Sequence, residues 1–224
     1  MALPEVVNRW QSQRVADSYD AERFQGLLGR WFDRAQRRAL GRCLARLGAL
    51  EWLVDVPCGT GRMLPVVSMA GARCVAVDIS RAMIGKAQCR VRGEGVLFTC
   101  ADAQSLPIAD NGVDGVVSVR FLMHLSAEQR VAVLREFGRV ASRWVVVEYG
   151  LESPWHKVRR TLRAAVLRMI GKRRTYPQTT TWRQIHEEAQ KAGLAVQTRH
   201  WTARVLSQSV FVVMRVADPV GSKG

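Results

Sequence analysis

Negative charge is scarce in this chain: 19 Asp and Glu stand against 34 Lys and Arg among 224 residues, a formal net charge of +15. A surplus that large favours polyanions as partners, whether nucleic acid, anionic lipid headgroups or phosphorylated saccharides. An arginine-rich genome would give the same count with no partner at all. The five cysteines, Cys43, Cys58, Cys74, Cys89 and Cys100, form no Cys-x-x-Cys pair and are odd in number, which speaks against a disulfide framework or a zinc site. Cys74 and Cys100 read as small buried residues in apolar strands, and Cys58 as a packing residue inside a glycine turn. No apolar run is long enough to span a bilayer, and the N-terminus lacks the apolar core of a signal peptide, so a cytoplasmic protein is expected. No aromatic-rich RNA-binding module accompanies the charge. Nothing in the sequence calls for a metal. At 48% hydrophobic and 24% charged, the chain suits one globular α/β domain with a modest addition.

What is present centres on residues 53–62, LVDVPCGTGR. Leu53, Val54, Asp55 and Val56 suit a buried strand, Gly59 and Gly61 a tight turn, and the residues after them a helix. Glycine accepts positive φ and lets a ligand lie on bare backbone, while the first amides of a following helix are unpaired donors. A β-branched run at 73–77 ends in Asp78, about twenty residues beyond the turn, where a carboxylate can accept both hydroxyl protons of a ribose. A third run, 96–100, leads into Ala101, Asp102 and Ala103. Asp55, Asp78 and Asp102 therefore converge at the carboxyl ends of three parallel strands, the edge at which open α/β sheets bind ligands. A nicotinamide fingerprint needs a third glycine where Arg62, Met63 and Leu64 stand, which disfavours a dehydrogenase.

The blocks VDVPCGTGR, VAVDIS, CADAQSLPIADNGVDGVVS and LREFGRV, spread over residues 51–149, resemble the class I S-adenosylmethionine-dependent methyltransferases. The resemblance implies a Rossmann-like, seven-stranded, mostly parallel α/β sheet with helices on both faces, a helical lid insertion, and a final strand antiparallel to the rest. It implies S-adenosylmethionine as cofactor, with Gly59 and Gly61 at the turn, Asp78 at the ribose and Ile79 against the adenine. Asp102, with Ala103, would meet the adenine amino group, and Asp55 the turn itself or the methionine ammonium. Pro57 departs from the family pattern, standing where the first glycine belongs; it fixes φ but supplies no amide donor. The expected acceptor is a small or lipid-linked molecule methylated on oxygen. The alternatives are a nitrogen acceptor or a tRNA base and, from another class, a non-catalytic cofactor-binding scaffold.

Along the chain, residues 1–33 read as an N-terminal helical lid in which Tyr19 either, by resemblance, faces the methionine end of the cofactor and the substrate or, with Phe24, packs a helix onto the domain. Residues 34–48 carry Leu40, Cys43, Leu44 and Leu47 at helical spacing, closed by Gly48. Segments 60–69 and 80–91 read as crossover helices, the second capped by Ser80. Residues 104–107 and 110–112 carry turn chemistry, and the fourth strand, 113–119, contains Asp114, for which the resemblance implies a structural role. Just beyond it, Arg120 is read either as binding a carboxylate or phosphate of the substrate or as pairing with a local acid. His124 is the candidate general base, since imidazole titrates near neutral pH; the alternative is a structural histidine beside the N-cap Ser126. A helix over 126–139 should bury Val131, Leu134, Phe137 and Val140 and lead into a fifth strand at 144–148. Ala141, Ser142 and Arg143 replace the family's Pro-Gly-Gly turn, which leaves that loop open. In 153–177, Trp155, Val158, Leu162, Val166, Met169 and Ile170 share one helical face, and basic residues fill the others. This basic amphipathic helix has three readings: peripheral membrane contact through 155–174 at the inner membrane face, a core-packing lid, or a phosphate-binding face for RNA. A helix at 180–192, strands at 194–201 and 209–216, and a frayed tail at 217–224 complete the chain. The methyltransferase domain is thus expected over 34–216.

Overall fold

The computed structural model describes residues 26–91, 95–151, 179–203 and 207–217. The apolar runs become seven strands: β1 (Trp52–Asp55), β2 (Arg73–Asp78), β3 (Val96–Cys100), β4 (Val113–Ser118), β5 (Ala141–Gly150), β6 (Leu194–Trp201) and β7 (Ser209–Val216). They form one sheet in the order β3-β2-β1-β4-β5-β7-β6. Strands β3 through β5 pair in parallel, and β7 runs antiparallel to both β5 and β6. This is the expected Rossmann-like sheet. Its order reverses between β1 and β4, which opens a crevice at their carboxyl ends.

Helices cover both faces, which is why the central strands read as unbroken apolar runs. On one face Leu53, Val117, Val146 and Phe211 pack with Leu40, Leu64 and Val67, from α1 (Gly26–Leu44) and α2 (Leu64–Ser68). Ala87, from α3 (Arg81–Arg90), joins them. The alternate residues Val54, Val116, Val145 and Val147 pack on the other face with Leu134 and Phe137 of α4 (Ala127–Val140) and Ile185 of α5 (Trp182–Lys191). Each such side chain contributes about 1.5–3 kcal/mol by leaving water. The caps follow the sequence: Ser80 accepts from the Met83 amide, and Ser126 and Thr181 each form a reciprocal capping box with the glutamine three residues on. Asp114 accepts the amides of Glu51 and Trp52 at 2.6 and 2.9 Å, anchoring the entry to β1.

Several elements differ from their sequence expectation. α1 begins at Gly26, so the boundary expected at 33 falls inside it; the apolar spacing is interrupted because its buried face carries Gln36. The helix expected over 60–69 is only the five residues of α2, because Gly61 at φ +73° breaks the helical path and Pro65 opens the new one. α4 buries Arg130 and Val133 with Leu134, Phe137 and Val140, and Val131 is only half-buried. Cys100 is exposed rather than buried, since β3 is the sheet's edge. The loop left open before β5 does not exist: α4 ends at Val140 and β5 starts at Ala141.

Residues 1–25 with Tyr19, most of the expected N-terminal lid, lie outside the described residues. So do 152–178, with the expected basic amphipathic helix, and the tail from 218. Leu151 bridges Thr180, whose amide donates to the Gly150 carbonyl at 2.8 Å, so these residues lie side by side at the carboxyl end of β5. No helix among the described residues is long and apolar enough to cross a membrane.

Candidate functional site

Beyond Asp55 the chain turns sharply and is fastened to both neighbouring strands. The Val56 amide donates to the Val117 carbonyl at 2.9 Å and the Cys58 amide to the Val77 carbonyl at 2.8 Å; the Val56–Pro57 peptide is cis. The Gly59 amide donates to Asp78 Oδ2, and the Ser80 amide to Asp78 Oδ1, each at 2.9 Å. Asp78 thereby ties the glycine turn to the start of α3. The two glycines serve different ends. Gly59, at φ +55°, borders the cavity, and a Cβ there would meet nothing within 4 Å. A Cβ on Gly61 would lie 3.0 Å from the Cα and Cβ of Ala87. Gly61 therefore lets α3 approach the turn and does not itself line the cavity.

The cavity gathers most of the residues predicted from sequence. Asp55, Asp78 and Asp102 line it at the ends of their strands, Ile79 and Ala103 wall the same side, and Arg120 and His124 stand at the β4 side with Phe121. Asp55 is 1% exposed, and its Oδ2 has no hydrogen-bond partner among the described residues. Burial pushes its carboxyl up to about 8; Arg62 opposes the shift and Asp78 adds to it. Burial also raises Asp78, to about 6, against the amides of Ser80 and Gly59 that favour its ionised form. Asp102 Oδ1 accepts the Gln104 amide at 2.9 Å, so its carboxylate shapes its own turn as well. Cys58 is buried beside these carboxyls; burial and their charge push its thiol far above neutral, which keeps it a packing residue.

Arg120 adopts φ +59°, rare for a side chain of that size. Its backbone amide donates to Glu148 Oε2 at 3.0 Å, and the residue borders the cavity. His124 ends a 3-10 turn, Leu122–His124, two residues before the N-cap of α4, and is half-buried.

A buried polar network beside the cavity was missed from sequence. Arg62, which borders the cavity, donates to Asp33 Oδ1 and Gln36 Oε1, both at 2.5 Å. Gln36 Nε2 donates to both oxygens of Glu148 at 2.6 and 2.7 Å, and Ser209 Oγ donates to Glu148 Oε1. Burial lowers the Arg62 pKa and the Asp33 carboxylate opposes it. Two signals could have revealed this network: a glutamine one turn before Leu40 on a buried helix face, and a glutamate inside the apolar run of β5. Each needs an internal partner.

Residues 54–143 match the family described as methyltransferase domain. Methyltransferase GfsG of Streptomyces halstedii is 34% identical over 112 residues, 45% of this chain and 40% of that protein. A demethylmenaquinone methyltransferase of Clavibacter sepedonicus is 32% identical over 133 residues, 56% of this chain and 53% of that protein. The chain thus spans about half the length of these relatives. Magnesium protoporphyrin IX methyltransferase from Synechocystis PCC 6803, crystallised with bound SAH, superposes with a TM-score of 0.77 at 17% identity, covering 96% of this chain and all of that one. At that identity the likeness is one of fold.

Proposed function

We propose that this chain, which carries a class I methyltransferase domain over residues 54–143, binds S-adenosylmethionine at the ends of β1, β2 and β3 and methylates an oxygen of a small or lipid-linked acceptor. One observation carries the reading: Asp55, Asp78 and Asp102 meet around a single cavity onto which Gly59 opens bare backbone. The residues fit the group. Asp55 Oδ2 is a buried acceptor in want of a donor, which an ammonium supplies. Asp78 accepts the Gly59 and Ser80 amides, with the Ile79 amide also favouring its ionised form, and a carboxylate so engaged keeps acceptor capacity for a hydroxyl. Ile79 and Ala103 offer apolar walls to a flat ring, and Asp102 an acceptor at its edge.

When bound, S-adenosylmethionine supplies a methyl carbon that its sulfonium makes electrophilic. The chain's own residues align the acceptor, and alignment alone removes much of the barrier to a two-reactant transfer. Arg120 orients an anionic or polar group of the acceptor from the β4 side. His124 takes the proton of an acceptor hydroxyl on a ring nitrogen. The relatives' names, one a demethylmenaquinone methyltransferase, favour a small-molecule acceptor over a tRNA base.

Titration calorimetry of S-adenosylmethionine into wild type and Asp102→Ala tests the site. Micromolar binding that the substitution weakens about tenfold, or about 1.4 kcal/mol, is expected. No binding by well-folded wild type would overturn the reading in favour of a scaffold. Transfer of labelled methyl into small-molecule, lipid and RNA fractions tests the acceptor, and label in RNA would overturn that half.

A further inference from the structure

α1 buries only one side. At about 100° per residue, Gln36, Leu40 and Cys43 fall on the side packed against the sheet. Leu27, Trp31, Arg34, Arg38 and Arg42 fall within about 80° of one another on the opposite side. The exposures agree: Leu27 is 81%, Leu28 84% and Trp31 45% exposed, and Arg30, Arg34, Arg38 and Arg42 are exposed as well. Of the five large hydrophobic residues exposed among the described residues, three thus cluster within five positions of one helix. The arginines beside them have no ion pair among the described residues. The one acid on α1, Asp33, is taken by Arg37 and Arg62.

We infer that this outer stripe of α1 docks the protein on a bilayer surface bearing anionic phospholipid. Charge alone would suit any polyanion. The order along the stripe discriminates, since an apolar tip of Leu27, Leu28 and Trp31 is followed by arginines at each turn. A bilayer holds guanidinium groups at the headgroups and takes apolar side chains about 5–10 Å into the acyl boundary. An RNA backbone would meet the arginines but leave both leucines in water. A second copy of the chain would set these arginines against more of the same charge, which repel. Asp33 and Gln36, on the inner side of the same helix, hold Arg62 at the cavity. At about 1.5 Å per residue the apolar tip therefore lies within roughly 15 Å of Gln36 along the helix. Docking itself needs neither cofactor nor acceptor, so it stands or falls apart from methyl transfer.

The test is sedimentation of the full chain, without cofactor, against vesicles of phosphatidylcholine alone and of phosphatidylcholine with about 30% phosphatidylglycerol. Binding to the anionic vesicles only is expected, weakening as salt rises. R34E/R38E should lower the partition coefficient roughly 30-fold or more. L27S/W31S should lower it about tenfold through lost apolar burial. All four positions are on the exposed face, and matching thermal melts would show that both variants remain folded. Three outcomes overturn the inference: no vesicle binding, binding that both variants leave intact, or binding that R34E/R38E abolishes while L27S/W31S matches wild type. Single-stranded RNA bound as tightly as anionic vesicles, with the last of these patterns, would reassign the stripe to RNA.

Discussion

Asp55 ends β1 with its carboxyl out of water and one oxygen without a partner among the described residues. Its carboxyl is raised to about 8, and that of Asp78 to about 6, so the folded chain holds protons that the unfolded chain releases near pH 4. Their stabilising contribution is complete below about pH 4 and is lost as pH rises through about 6 for Asp78 and about 8 for Asp55. Melting temperature is therefore expected to fall from pH 5 to pH 8.5, and Asp55→Asn to flatten the upper part of that fall. Thermal melts across the range check both. A cationic ligand favours the ionised carboxyl, so its affinity should rise with pH and level off above about 8, as calorimetry at several pH values would show. The glycines make a second pair. Gly61→Ala forces a Cβ against the α3 backbone at positive φ and is expected to cost about 2–4 kcal/mol in urea denaturation. Gly59→Ala, in open space, should cost only about 1 kcal/mol of stability yet weaken ligand binding.

Between elements, α4 and α5 are joined by a buried ion pair rather than by apolar packing alone. Arg130 meets Glu188 at 2.6 Å and also donates to the Leu125 carbonyl, while the Tyr149 hydroxyl donates to Glu188 at 3.1 Å. Removing one partner strands the other charge in the interior, so Glu188→Ala is expected to lose about 3 kcal/mol or more in urea denaturation. Ligand affinity should be unchanged, because none of these residues borders the cavity. The sequence placed β2, β3, β6 and β7 and the caps Ser80 and Ser126 because strand runs and cap hydroxyls are local signals. It mislaid the buried face of α4 because Arg130 looks like a solvent residue until Glu188, 58 positions away, is brought to it.

Across the whole molecule, the Gln36, Arg62 and Glu148 network joins α1, the glycine turn and β5, and Ser209 and the Arg120 amide tie in β7 and the end of β4. Gln36→Leu would leave Glu148 and Arg62 each short of a buried partner. A loss of about 1–3 kcal/mol is expected in urea denaturation, together with a severalfold weaker ligand site as Arg62 loosens. Calorimetry with the folded variant checks the second effect.

The strand runs, the strand-end carboxylates and the glycine turn were legible in the residues alone. Burial on both faces demands contiguous apolar runs, and a tight turn at positive φ demands glycine, and both demands fall on neighbouring residues. Of the residues singled out for the site, by strand-end position or by resemblance, Asp55, Gly59, Asp78, Ile79, Asp102, Ala103, Arg120 and His124 border one cavity. Tertiary structure alone decided that Gly61 faces α3, that Asp78 is already engaged by two amides, and that Gln36 meets Glu148 across 112 positions of sequence. A buried polar group must find a partner, but the partner's place in the chain is set by which elements pack together, and no local pattern encodes that.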